Sequence, residues 1–120
     1  MLEGIPHLTL TYEPPDCDHT FYLNTLLVPG DWAGEKRDAL CKMLLDEYGV
    51  GTMVGNPPVW QSNDFIGRHI DGQQDSLPVS RETALRLFCV SLHPLMTEQE
   101  NAYIAAALWD AVERIQDGEG

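Results

Sequence analysis

The chain has 120 residues, 43% of them apolar, and a formal net charge of −12 from 19 acidic and 7 basic side chains. That is the length of one domain, with enough apolar content for a packed core. The acidic balance speaks against nucleic acid and membrane as partners, because both are bound through a cationic footprint.

In chain order, Leu8-Thr9-Leu10-Thr11-Tyr12 alternates as a short strand does, and Pro14-Pro15 stops it. His19 to Val28 is rich in β-formers and ends at Pro29-Gly30; its run Leu26-Leu27-Val28 predicts a strand buried on both faces. From Glu35 to Tyr48 the period becomes helical, with Leu40, Leu44 and Tyr48 on one stripe and Ala39 and Met43 beside it. Gly49 stands where a helix commonly ends in a left-handed residue. Val50 to Val54 then reads as a short strand, ended by Asn56-Pro57-Pro58 because neither proline can donate to a ladder.

Residues 60 to 78 are polar, show no clear period and read as a long connection. Arg81 to Leu87 predicts a short helix, and Phe88-Cys89-Val90-Ser91-Leu92 a core strand. Thr97 and Glu100 have capping-box spacing: the threonine hydroxyl can accept from the N–H of Glu100, whose carboxylate can reach back to the N–H of Thr97. The last helix should run from Glu98 to about Ile115, with Ile104, Leu108, Ala111, Val112 and Ile115 facing the core, before an acidic end at 116–120. The expected fold is α/β (α+β): a small three-stranded sheet with helices on one face.

Catalysis needs convergent titratable groups, and few are offered. The histidines are His7, His19, His69 and His93. Cys17-Asp18-His19 lacks a third or fourth ligand nearby, so no metal site is expected. Cys17, Cys41 and Cys89 are odd in number without CxxC spacing, which argues against a disulfide framework; Cys41 and Cys89 read as small core residues. No nucleotide-binding glycine pattern and no nucleophile elbow occurs. The two lysines, Lys36 and Lys42, lie on the solvent side of the first predicted helix, whereas a Schiff-base lysine must be desolvated. Trp32 and Trp60, near Gly30 and Pro58, are candidates either for packing or for lining a cleft. With no charged leader and no apolar run of about 18 residues, a cytoplasmic protein is expected.

Several segments together resemble one family, the DegT/DnrJ/StrS-type sugar aminotransferases, which are pyridoxal-phosphate enzymes of fold type I. They are Leu2 to Leu10, His19-Thr20-Phe21-Tyr22-Leu23, Lys36 through Thr52, Asn56-Pro57-Pro58-Val59, Leu77-Pro78-Val79-Ser80, and Ser91 to Thr97. The resemblance covers residues 2 to about 116, in order and in register, and is to the carboxy-terminal small domain alone. It implies that residues 1–120 are a single domain that closes over a cofactor cleft. The Schiff-base lysine and most cofactor contacts would then belong to a large domain not found in this sequence. On that resemblance, His19, Tyr22, Asn56 and Trp60 are the positions for substrate, within the segments 19–22 and 55–60. No catalytic residue is implied, and no cofactor is expected on the chain alone; pyridoxal phosphate is expected only with a large domain. The implied partner is such a large-domain subunit, or a second copy in a homo-oligomer.

The chain departs from the family where Gly55 and Asn56 replace a usual histidine and aromatic, and where Val59-Trp60 replaces a further histidine. A different amino acceptor, or a domain that has lost sugar recognition, would account for this. The sequence is therefore expected to be a small domain or split subunit of a sugar aminotransferase, inactive alone. The alternative is a stand-alone, non-catalytic binding or regulatory module derived from that domain.

Overall fold

A computed structural model describes residues 2–55, 57–70 and 72–118, with the side chains of residues 74 and 75 also left aside. Four strands form one antiparallel sheet: β1 (Thr9–Leu10), β2 (Asn24–Leu27), β3 (Thr52–Val54) and β4 (Leu87–Val90), in the order β1-β2-β4-β3. The fold is the expected mixed α/β class, with one correction. The sheet has four strands rather than three, because the brief Leu8–Tyr12 pattern yields two residues that pair with β2, Thr9 opposite Leu27 and Leu10 opposite Leu26.

Five helices accompany the sheet: α1 (Glu35–Tyr48), α2 (Val59–Ser62), α3 (Asp64–His69), α4 (Pro78–Arg86) and α5 (Glu98–Gln116). The long connection is thus not bare loop. Asn63 ends α2 and caps α3, its side-chain oxygen accepting from the N–H of Ile66 at 3.1 Å. Such short helices carry too few residues for a readable period. Helix α4 begins earlier than expected, at Pro78, whose missing N–H costs nothing in a first turn.

Period-two alternation sorts the central strands. Leu26 and Phe88 face each other across β2 and β4, both essentially fully buried. With Val28 and Val90 they pack against Leu40 and Leu44 of α1 and Leu108, Ala111 and Val112 of α5. Each fully buried large apolar side chain contributes about 1.5–3 kcal/mol. The opposite sheet face carries Thr25, Leu27, Met53, Leu87 and Cys89. Cys89 is buried there, but Leu27 and Leu87 are half-buried and Met53 is 51% exposed. The expectation of burial on both faces therefore fails for Leu27; only Leu26 and Val28 are buried.

Helix α1 ends at Gly49, which takes φ 65° and donates to Leu45 O while the N–H of Val50 donates to Leu44 O at 2.8 Å. A β-carbon disfavours that left-handed geometry. Helix α5 starts on the capping box: Thr97 N–H donates to Glu100 Oε2 at 2.7 Å and Glu100 N–H donates to Thr97 Oγ1 at 3.2 Å. The two long helices are clasped at their exposed rims. Tyr103 Oη donates to Tyr48 O at 2.7 Å, Tyr48 Oη donates to Asp110, and Arg114 pairs with Glu47.

Arg37 is the one charged side chain in the core among the described residues, only 6% exposed. Positions 37, 40 and 44 fall on one helical stripe, so it points inward with Leu40 and Leu44. Its role follows from the last turn of α4, whose final carbonyls lack intrahelical donors. Thr83 O accepts from Leu87 N–H, Leu85 O from Gly34 N–H at 2.9 Å and Arg86 O from Val28 N–H at 3.1 Å. Ala84 O is satisfied by Arg37 Nη1 at 3.1 Å, and the same nitrogen donates to Leu87 O at 2.8 Å. The guanidinium also lies at the negative end of a helix, which favours a cation.

Candidate functional site

The segment before β2 holds two of the four expected substrate positions. The backbone N–H of His19 donates to the Glu13 carboxylate at 3.2 Å, and its Nδ1 accepts from the N–H of Phe21 at 2.8 Å. With Nδ1 engaged, Nε2 is the ring nitrogen left available. This local bond also holds residues 19–23 out of the sheet, with Phe21 at φ 47°. The strand expected from His19 therefore begins only at Asn24. Tyr22 is 88% exposed, with its ring standing in solvent.

The other two positions follow β3. Asn56 lies outside the described residues. Trp60 is half-buried on α2, and its carbonyl oxygen lies 2.7 Å from where a β-carbon on Gly67 would stand. Only glycine lets α3 approach α2 so closely.

The structure does not bring the two groups together. Asn24 pairs with Val90, which pairs with Thr52, whereas Val54 lies level with Phe88 and Leu26. The chain thus enters β2 at one end of the sheet and leaves β3 at the other, with β4 between. Along the strands that is roughly 7 Å, and two strand spacings across add roughly 10 Å more. His19 and Tyr22 stand at one corner of the sheet and Trp60 starts from the diagonal one.

Two cavities flank the end of the sheet where Asn24, Val90 and Thr52 lie level. One of about 580 Å³ is lined by Leu10, Phe21, Asn24, Val90, Asn101 and Ile104. A second, of about 640 Å³, lies at the strand-to-helix junction between Gly51, Ser91, His93, Thr97, Glu100 and Tyr103. The capping bonds from Thr97 hold the Glu100 carboxyl below the usual glutamate range. His93 Nδ1 accepts from Leu95 N–H at 3.2 Å, which fixes this ring too.

Neither lysine fits a covalently held aldehyde cofactor. Lys42 is exposed and donates to Asp46 at 2.6 Å, and that hydrogen bond raises its pKa, opposite to what amine nucleophilicity needs. Lys36 is exposed with its Nζ 5.7 Å from the ring centroid of Trp32. Trp32 itself is 1% exposed, covered also by the stacked ring of His7, so it packs in the core and lines no cleft. Cys17 and His19 border one shallow hollow with Glu13, but no group of three metal-ligating side chains occurs among the described residues. Cys89 is buried with Thr25 Oγ1 at 3.6 Å from its sulfur.

Arg37 escapes a reading by composition, which expects charge at the surface. The one sequence signal is its place on the Leu40–Leu44 stripe.

What these features define is a mixed α/β fold on a four-stranded antiparallel sheet, with both lysines exposed. The sequence model of the DegT/DnrJ/EryC1/StrS aminotransferase family matches residues 1–109, and the chain belongs to that family. The family is generally pyridoxal-phosphate-dependent. No curated protein matches the chain. No described helix is long and apolar enough to cross a membrane.

Proposed function

We propose that residues 1–120 act as the small, substrate-closing domain of a pyridoxal-phosphate-dependent sugar aminotransferase and are inactive alone. The cofactor-bearing lysine is supplied from outside these residues, by a large domain on a separate subunit or elsewhere in a longer polypeptide. His19, Tyr22, Asn56 and Trp60 are the positions through which the chain contacts the sugar side of the cleft.

One observation carries this reading. A family match spanning residues 1–109 meets a chain whose two lysines both sit on the exposed side of α1, one of them held protonated by Asp46. Apolar exposure supports it: Met53, Val54, Val59, Phe65, Val79 and Leu85 are each at least 45% exposed around β3 and the α2–α4 segment. Exposed apolar surface of that kind marks a face that another domain covers.

The test mixes the purified chain with pyridoxal phosphate and follows the shifted absorbance of lysine-bound cofactor, then repeats it with a large domain of this family. The expected result is no band from the chain alone and transaminase turnover only when both parts are present. A band lost on changing Lys36 or Lys42 would overturn inactivity alone. A large domain that binds the chain without gaining turnover would favour a non-catalytic regulatory module instead.

A further inference from the structure

A small cavity of about 240 Å³ lies between the exit of β3, α2 and the end of α4, and Arg37 forms part of its wall. The hydrogen-bond inventory of this guanidinium is incomplete. Nε donates to Asp38 Oδ1 at 2.6 Å, and Nη1 donates to both Ala84 O and Leu87 O. Nη2 carries two further N–H groups, and they meet no acceptor among the described residues. A side chain that is 94% buried by its 6% exposure cannot turn those donors to bulk solvent. Unsatisfied buried donors on a charged group are costly, and a charge-assisted bond to an anionic oxygen is the strongest way to satisfy them.

The remaining wall selects the rest of the ligand. Val54, Pro58 and Leu85 are apolar, and Gln61 brings a side-chain amide to the wall. Arg81 also lines the cavity. A fully hydrated oxyanion such as phosphate would lose its water shell against these apolar walls without replacement. A carboxylate on a short hydrocarbon body places its oxygens at Nη2 and Gln61 and its carbon chain against Val54 and Leu85.

We propose that this cavity is a binding site for a short-chain carboxylate, anchored by Arg37. The cavity borders the segment 55–60, with Gly55, Pro57 and Pro58 in its wall, and its Arg37 anchor is tested on the chain by itself, without the proposed large domain.

The experiment titrates the full chain with butyrate at constant ionic strength, with inorganic phosphate and chloride as comparison anions. It follows the Arg37 side-chain Nε–H resonance by NMR and, separately, the melting temperature. Arg37→Lys would disturb the carbonyls of Ala84 and Leu87, so the decisive variant is Gln61→Glu, at an exposed position on α2. It sets a carboxylate beside the guanidinium and leaves the carbonyl bonds intact. Butyrate should move the Arg37 resonance saturably and raise the melting temperature, and Gln61→Glu should weaken that response by at least about tenfold, the scale of one added like-charge contact. An equal response to phosphate would overturn the carboxylate assignment. No movement of the Arg37 resonance, or an undiminished response in Gln61→Glu, would overturn the site.

Discussion

Replacing Arg37 with methionine tests whether the buried guanidinium holds the fold. Methionine keeps an unbranched apolar stem of similar reach, so the cavity left beside Leu40 and Leu44 is small. What disappears is the donor to Ala84 O and Leu87 O, at 3.1 and 2.8 Å. Hydrogen bonds from charged groups contribute about 1.5–3 kcal/mol each, giving roughly 3–6 kcal/mol lost for the pair. Removing a buried charge offsets part of that, because desolvating an ion costs several kcal/mol that good pairing only partly recovers. Asp38, the remaining partner, is 61% exposed and returns to water without penalty. The expected net loss is about 2–4 kcal/mol, which for a chain of this size lowers the melting temperature by roughly 8–16 °C. Urea unfolding followed by circular dichroism measures it, with an unchanged slope expected because the same surface is exposed. Arg37→Lys should retain about half the loss, since it keeps the charge and one donor direction. A methionine variant as stable as the parent would refute the capping account of α4 and leave Arg37 a merely tolerated buried charge.

Four further outcomes follow from local geometry. Thr97→Ala removes the cap of α5 and should cost about 1 kcal/mol in thermal or urea unfolding. The same motif predicts acid sensitivity. The Glu100 carboxyl is held below its ordinary value, so its stabilising contribution is present above the unfolded pKa and is lost as pH falls through the folded one. Melting temperatures of the parent and Glu100→Gln should therefore differ near neutrality and converge below the ordinary glutamate range; a gap that persists in acid would contradict this. Gly55→Ala would bring a β-carbon to 1.6 Å from Leu87 Cδ2 and 3.0 Å from its Cγ, so Leu87 must move, at about 1–3 kcal/mol. A Leu87→Ala background should relieve much of that cost, and a double-mutant cycle with no coupling would rule the clash out. Tyr48 has its pKa raised by donating to Asp110, so the fold favours its neutral form and loses that contribution as pH rises past the ordinary tyrosine value. Tyr48→Phe should flatten the alkaline limb of the stability profile.

What could be read from the sequence is what local chemistry determines. The stripe of Leu40 and Leu44, the stop at Gly49, the Thr97–Glu100 box and the inward face of α5 all depend on residues within one or two turns of each other, and all stand where the pattern placed them. The His19–Val28 strand was over-read because β-propensity describes a pleated, half-buried surface, and residues 19–23 are captured instead by the imidazole of His19. The alternation from Leu8 to Tyr12 is legible as a short strand, but that its two ladder residues join the sheet shows only once β2 lies beside them. Arg37 shows only its place on the Leu40–Leu44 stripe for a related reason: its partners are carbonyls 47 and 50 residues away, which no local pattern encodes. The candidate site shares this limit. Motif resemblance proposes which residues face a substrate, but only the strand register tells that they stand at diagonal corners.

That separation constrains how the proposed role could work. His19 and Tyr22 are set apart from the start of the segment leading to Trp60 by roughly 7 Å along the strands and two strand spacings across them. If both groups serve one reaction, the object that meets them is a surface. Between the two corners lies the less covered sheet face, with Met53 exposed and Leu27 and Leu87 half-buried. A large domain resting on that face would bury the apolar side chains left open by a helix layer on the opposite side only. It would also meet both segments at its edges. On the proposed reading, residues 1–120 complete the boundary of a cleft, and the reacting groups come from the domain that covers the open face.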